Sequence, residues 1–368
     1  MSAGEPLPFI DLRPGDDAPA VREAIERVVQ RGWFVLGPEV EAFEQAFAAA
    51  CGAEHAVGVG NGTDAISLLL RAHDIGHGHE VIVPAMTAGY TALAVTQIGA
   101  TPVFADVEAD TLTIDPAACD AAITTRTRAI VPVHLYGQAA RLEPLAAIAQ
   151  AHRLVLIEDC CQAHLATAGG RPVGTTTAGG AFSFYPTKNL GGLGDGGAVI
   201  TRDPAIAQRV RRLRNGGQTD RYRHDEAGVN SRLDDVQAAV LGARLPYLAG
   251  WTGRRRGLAA LYRRTLNHCA IPERDPGHVY HLFPIRSARR DALKAHLAAA
   301  GIESLIHYPL PLPDHPAFAA AATAGADYRQ ARRAASELLS LPLHPRLADA
   351  DVERVAAAVI AFEKGHVT

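Results

Sequence analysis

The chain has 368 residues, 48% of them hydrophobic and 20% charged, with a formal net charge of −3. That balance excludes a disordered chain, supports a large buried core spread over two or three domains, and argues against electrostatic binding to nucleic acid or an anionic membrane. No apolar run approaches the roughly 20 residues of a membrane span, and MSAGEPLPFIDLRPGDD has neither the basic nor the apolar part of a signal peptide, so the cytoplasm is the expected compartment.

Two helices are predicted first, over 18–31 and 38–50, broken by RGWFVLGP with its turn residues Gly32, Gly37 and Pro38. From about 55 to 245, strand-like runs alternate with helical patterns. The runs are EVIVP (80–84), TPVFAD (101–106), AIVPVHLYG (129–137), LVLIEDC (154–160), GAFSFYP (180–186) and GGAVIT (196–201). Apolar residues recur at helical period over 62–72, 91–98, 141–151 and 204–214. Continuous hydrophobic strands separated by helices imply a mainly parallel sheet covered on both faces, an α/β/α three-layer domain. After an Arg-rich helical stretch at 234–265 comes a smaller α+β domain. It comprises strand-like VYHLFPIR (279–286), a helix at 289–300, IHYPLPLPDHP (306–316), a helix-prone Ala-rich stretch near 317–326 and two closing helices. The expected division is a helical arm at 1–50, a large domain at 51–248 and a small domain at 249–368.

Only three of the 36 basic residues are lysines, Lys188, Lys294 and Lys364, so amine chemistry has three candidates. The five cysteines are odd in number and lack metal-ligand spacing, which predicts reduced thiols and no metal. In an open parallel sheet ligands bind at the carboxyl ends of the strands. LVLIEDCCQAH leaves Glu158, Asp159, Gln162 and His164 at one such end, and GAFSFYPTKNLGGLGDGG leaves Ser183, Tyr185, Lys188 and Asn189 at another. VGVGNGTDA offers Gly62 and Thr63 as helix N-terminal amides for an anion. A lysine in a Gly-rich turn can form a Schiff base, and an aspartate can keep a pyridine nitrogen protonated. Pyridoxal phosphate needs both, and a phosphate site. The plain alternatives are a solvated Lys188, a helix-capping Asp159, Gln162 and Ser183 as turn residues, and Asn230 as an N-cap for a helix beginning near 233.

The sequence resembles the sugar aminotransferases of the DegT/DnrJ/EryC1/StrS family over essentially its whole length. The resemblance is carried by FVLGPEVEAFE (34–44), NGTDAI (61–66), ATPVFADV (100–107), VPVHLYGQ (131–138), IEDCCQAH (157–164), SFYPTKNLGGLGDGGAVIT (183–201), GVNSRLDDVQAA (228–239) and IHYPLPL (306–312). It implies the aspartate-aminotransferase fold (fold type I) and pyridoxal 5′-phosphate as cofactor, with pyridoxamine 5′-phosphate as the form that carries the amine. By position, Lys188 matches the Schiff-base lysine, Asp159 the carboxylate on the pyridine nitrogen and Gln162 the amide beside the phenolate oxygen. Gly62, Thr63 and Ser183 match the phosphate cradle. Asn230 matches a residue reaching the phosphate from the partner subunit, which implies a homodimer with shared active sites. Tyr185, His307 and Tyr308 match positions lining a nucleotide-sugar pocket.

The implied activity is transfer of an amino group from L-glutamate to a nucleotide-linked keto-sugar, with dTDP-3-oxo-6-deoxyhexoses preferred over UDP-linked 4-oxo sugars or cyclitol ketones. The competing expectations are a sugar dehydratase, whose relatives resemble this chain but replace the lysine with histidine, and a noncatalytic regulatory protein. Two departures stand out. Ala88 occupies the place of the family's cofactor-stacking aromatic, and EDCCQAHLA replaces EDAAQAHGA.

Overall fold

The computed structural model describes residues 6–321 and 326–365. Seven strands form the central sheet: β1 (His55–Val59), β2 (Glu80–Pro84), β3 (Thr101–Ala105), β4 (Thr127–Ile130), β5 (Val155–Asp159), β6 (Gly179–Ser183) and β7 (Gly197–Thr201). Their spatial order is β1-β7-β6-β5-β4-β2-β3, with every pair from β6 to β3 parallel and β7 antiparallel to both β1 and β6. The interior strands are buried along nearly their whole length, as expected for a sheet with helices on both faces. The carboxyl ends of β1, β2, β4, β5 and β6 therefore lie along one edge.

The helices predicted at 18–31, 38–50, 62–72, 91–98, 141–151 and 204–214 form at Ala18–Arg31, Pro38–Cys51, Gly62–Ala72, Tyr90–Gln97, Leu142–His152 and Pro204–Leu213. Pro38 and Pro204 sit in the first turns of their helices, where the missing N–H costs nothing, and Gly32 and Gly52 close the first two in left-handed conformations.

A second core gathers residues from Leu258 to Phe362, joined by Leu7 of the N-terminal segment. Strands Phe283–Arg286 and Leu338–Leu341 pair antiparallel within it. Three expectations are corrected here. The stretch 234–265 is two helices, Asp235–Arg244 and Leu248–Leu266, separated by a 3₁₀ turn at Leu245–Tyr247 because Pro246 offers no N–H and restricts the residue before it. The strand at 279–286 begins only at Phe283, because Val279 and His281 donate their amides to Gly137 and Tyr136 of the turn after β4. A strand, Leu338–Leu341, lies between the closing helices Arg329–Glu337 and Asp349–Lys364. Of the Ala-rich stretch, Pro316–Ala321 is 3₁₀, and 322–325 lie outside the described residues. No helix among the described residues is long and apolar enough to cross a membrane.

Candidate active site

Strand alternation separates the two carboxylates at the end of β5. Glu158 and Asp159 are consecutive, so their side chains leave opposite faces of the sheet. Glu158 is fully buried and accepts from His134 Nε2 (2.8 Å), the Gly174 amide (2.7 Å) and the Thr177 hydroxyl (2.7 Å). His134 Nδ1 accepts from the Ala140 amide, which fixes the tautomer that donates to Glu158. This carboxylate is satisfied within the scaffold. Asp159 faces the other way, with Oδ2 accepting from the Thr91 hydroxyl at 2.8 Å and Oδ1 from the Cys161 amide at 3.0 Å. The His134 amide donates to the Asp159 carbonyl, so the chain after β4 braces the residue from the side.

Lys188 is set by a tight turn in which its amide donates to the Tyr185 carbonyl at 2.8 Å, with Pro186 at the position such turns favour. The buried Asn189 then anchors the loop, donating to the Val279 carbonyl and meeting His281 Nδ1. Desolvation pushes the Lys188 ammonium below the ordinary lysine value, while Cys161 and Asp159 act in the opposite direction.

At the start of helix Gly62–Ala72, the Asn61 side chain accepts from the Asp64 amide and the Asn61 carbonyl accepts from Ala65. The Gly62 and Thr63 amides are left for an anion. The backbone is crowded against β6: a Cβ on Gly62 would stand 2.7 Å from both Cys161 Sγ and Ser183 Cβ. Gly197 is equally constrained, since its Cβ would overlap the Asn61 carbonyl. Ser231, unassigned within the GVNSRLDD motif, accepts from the Gly60 amide and donates to Asp64 beside this turn. Asn230 itself is exposed and bridges Asn215; it does not cap the following helix, which begins at Asp235 behind Asp234.

Gln162 links the turn after β4 to the loop that carries Tyr308. Its Oε1 accepts from the Tyr136 amide at 2.7 Å and its Nε2 donates to the Tyr308 hydroxyl at 3.0 Å. The Tyr136 hydroxyl donates to the His307 carbonyl. Tyr136 has φ 59°, a conformation costly for a non-glycine residue and concentrated at functional sites. It lay inside VPVHLYGQ, where an aromatic before a glycine at the end of an apolar run was its only signal. Thr91 had none, because its contact with Asp159 spans 68 positions.

Burial pushes His307 down to about 4 and His164 to about 3, keeping both neutral. His164 Nε2 donates to the Ser183 carbonyl at 2.9 Å and its ring packs on Phe182 and Phe184. Tyr185 is exposed, as is Tyr90, and Ala88 is partly exposed. Asp159, Lys188, Gln162, Tyr308 and the Gly62 turn are thus tied to one edge of the sheet. A phosphorylated pyridine aldehyde fits this donor set: a carboxylate held for a ring nitrogen, a desolvated amine, and helix amides beside a turn in which a Cβ would clash.

A dTDP-3-amino-3,4,6-trideoxy-alpha-D-glucose transaminase of Streptomyces venezuelae is 47% identical to this chain over 362 residues, covering 96% of this chain and 95% of that one. The crystal structure of S. venezuelae DesV in complex with a ketimine intermediate superposes with a TM-score of 0.94 at 45% identity, covering 97% of this chain and 98% of that one. The structure of NtdA from Bacillus subtilis with bound cofactor PMP has a TM-score of 0.91 at 29% identity, covering 99% and 86%. With these likenesses covering nearly the whole chain, and with the family model matching residues 16–360, the chain belongs to the DegT/DnrJ/EryC1/StrS aminotransferase family.

Proposed function

We propose that this aminotransferase uses pyridoxal 5′-phosphate to move an amino group from L-glutamate to a nucleotide-linked keto-sugar, a dTDP-3-oxo-6-deoxyhexose, in amino-sugar biosynthesis. The observation that carries the reading is the pairing of a desolvated Lys188 with an Asp159 carboxylate oriented by Thr91 and the Cys161 amide. The dTDP-sugar named for the 47% identical relative supports the acceptor.

In this reading Gly62, Thr63 and Ser183 hold the phosphate, joined by Asn230 from the partner subunit of a cytoplasmic homodimer. Asp159 keeps the ring nitrogen protonated, and Gln162, fixed between Tyr136 and Tyr308, faces the phenolate oxygen. The cofactor, when bound, supplies a carbonyl to accept the amine and a ring to accept electrons. Lys188 Nζ takes the proton from the donor's α-carbon, and in the second half-reaction it returns a proton to the sugar carbon. Its lowered affinity for protons keeps a neutral, basic amine available nearer neutrality than an ordinary lysine would. Tyr185, His307 and Tyr308 line the sugar side. The division into an arm at 1–50, a cofactor domain at 51–248 and a small domain at 249–368 is part of the same proposal, with the site at the junction of the last two.

Borohydride reduction of the purified holoenzyme followed by peptide mass analysis tests it. Cofactor mass is expected on the peptide carrying Lys188 and absent in Lys188→Ala, with L-glutamate bleaching the visible absorbance before reduction. Label on Lys294 or Lys364, or absorbance indifferent to every amino donor, would overturn the proposal.

A further inference from the structure

A cavity of about 100 Å³ lies beside the lysine turn, with Lys188, Arg244, Trp251, Arg255, His344 and Arg346 among its walls. Its arginines differ in what neutralises them. Arg244 Nε pairs with Asp17 at 2.8 Å, while Arg13 and Arg346 both pair with Asp11, at 2.8 and 2.6 Å. Arg255, only 4% exposed, has no carboxylate among the described residues. Its Nη1 donates to the carbonyls of Tyr280 (3.2 Å), His281 (3.3 Å) and Leu343 (2.8 Å). The Nε is buried without a hydrogen-bond partner, so the Nε–Nη2 edge, the one that grips a carboxylate side-on, is unengaged.

His344 is 5% exposed, and both of its ring nitrogens are buried without partners. Three residues before Arg255 on the same helix, the Thr252 hydroxyl is also unpartnered. An unmet buried polar group is costly, and a buried cation without an anion costs more. Such a cluster is expensive as scaffold and makes sense as a receptor. Burial alone pushes Arg255 down to about 10, with no acidic neighbour opposing it. Burial, reinforced by the charge of Arg255, pushes His344 to about 4, so its ring is neutral with one donor and one acceptor nitrogen.

We infer that Arg255 and His344 form a carboxylate subsite for the amino donor, gripping one carboxylate of a dicarboxylic amino acid whose amine goes to the cofactor carbonyl that Lys188 would hold. The inference rests on the transaminase reading above and adds the residues that select the donor. Arg255 is the guanidinium of this cavity that lacks a protein carboxylate among the described residues, and the Lys188 turn forms part of the same wall.

Trp251 makes the site observable, because Trp33→Phe leaves it as the sole tryptophan. In that background the holoenzyme is titrated with glutarate, a dicarboxylate with no amine to react, while tryptophan emission is followed. A saturable change is expected, weakened at least tenfold by Arg255→Met, less by Arg255→Lys, and also weakened by His344→Phe. Steady-state kinetics of the same variants should show a raised KM for glutamate with the KM for the keto-sugar little changed. If dTDP or inorganic phosphate produces the change and competes with glutarate, the subsite serves the nucleotide and the donor assignment is wrong. If glutarate leaves the emission of the unsubstituted cavity unchanged, there is no subsite. Glutarate binding is read without turnover, so its loss sinks the subsite alone, whereas failure of the borohydride experiment sinks the transaminase reading.

Discussion

The Gln162 side-chain amide donates to the Tyr308 hydroxyl at 3.0 Å while its oxygen accepts the Tyr136 amide at 2.7 Å, so one side chain joins the end of β5, the turn after β4 and the loop that carries Tyr308. Removing the Tyr308 hydroxyl leaves a buried donor unmet and loosens that junction. Tyr308→Phe is expected to cost about 1–3 kcal/mol in urea unfolding. Gln162→Leu should cost more, because it also strands the Tyr136 amide, and should weaken cofactor retention measured by dialysis.

Thr91 orients the carboxylate on which the cofactor reading depends. Thr91→Val keeps the volume and removes a hydrogen bond to a charged acceptor, a change of roughly 1.5–3 kcal/mol. The cofactor dissociation constant is expected to rise about tenfold or more, and Thr91→Ser to restore it. Equal cofactor affinity in Thr91→Val and the parent protein would remove Thr91 from the site.

Gly62 is held by space. An alanine there brings its Cβ to 2.7 Å from Cys161 Sγ and Ser183 Cβ, an overpacking expected to cost about 1–3 kcal/mol and to displace the helix amides. Cofactor titration of Gly62→Ala should show weakened binding. Gly62→Ala/Cys161→Ala should recover part of it, since only the Ser183 contact remains.

His164 couples stability to acid. Its ring is neutral in the native state down to about 3, whereas in the unfolded chain it takes a proton near the ordinary histidine value of about 6.5. The unfolded state therefore binds more protons below that value, and stability falls with pH at about 1.4 kcal/mol per unit for this group until the native ring also titrates. In urea unfolding between about pH 6 and 5, His164→Phe should lose stability less steeply by about one proton. An unchanged slope would show that the buried ring is not what the acid acts on.

The elements around the central sheet were legible in the sequence because their signals are local. LVLIEDC and GGAVIT are too apolar to be surface strands, and 62–72 and 204–214 repeat at helical period behind Asn61 and Asp203, whose side chains cap them. Lysine scarcity singled out Lys188, and the family motifs around it assigned its neighbours. Periodicity failed where long-range contact overrode it: residues 279–282 give up strand pairing to bond the Tyr136–Gly137 turn, and the apolar run at 338–341 becomes a strand only because Phe283–Arg286 lies beside it.

Strand pattern alone does not tell the adjacent carboxylates Glu158 and Asp159 apart, although the family motif singles out Asp159. Tertiary structure separated them, because only packing decides which face of β5 meets His134 and Thr177 and which meets Thr91. The same holds for the arginines. Composition shows that basic residues here are nearly all arginine, but whether a guanidinium is neutralised depends on what the fold places against it. Asp17 reaches Arg244 across 227 positions, while Arg255 meets only carbonyls. The sequence by itself determined the layers of the fold and the amine at its centre, since these follow from local pattern and rarity. Charge balance and hydrogen-bond satisfaction are sums over neighbours distant in the chain, and those neighbours exist only once it is folded.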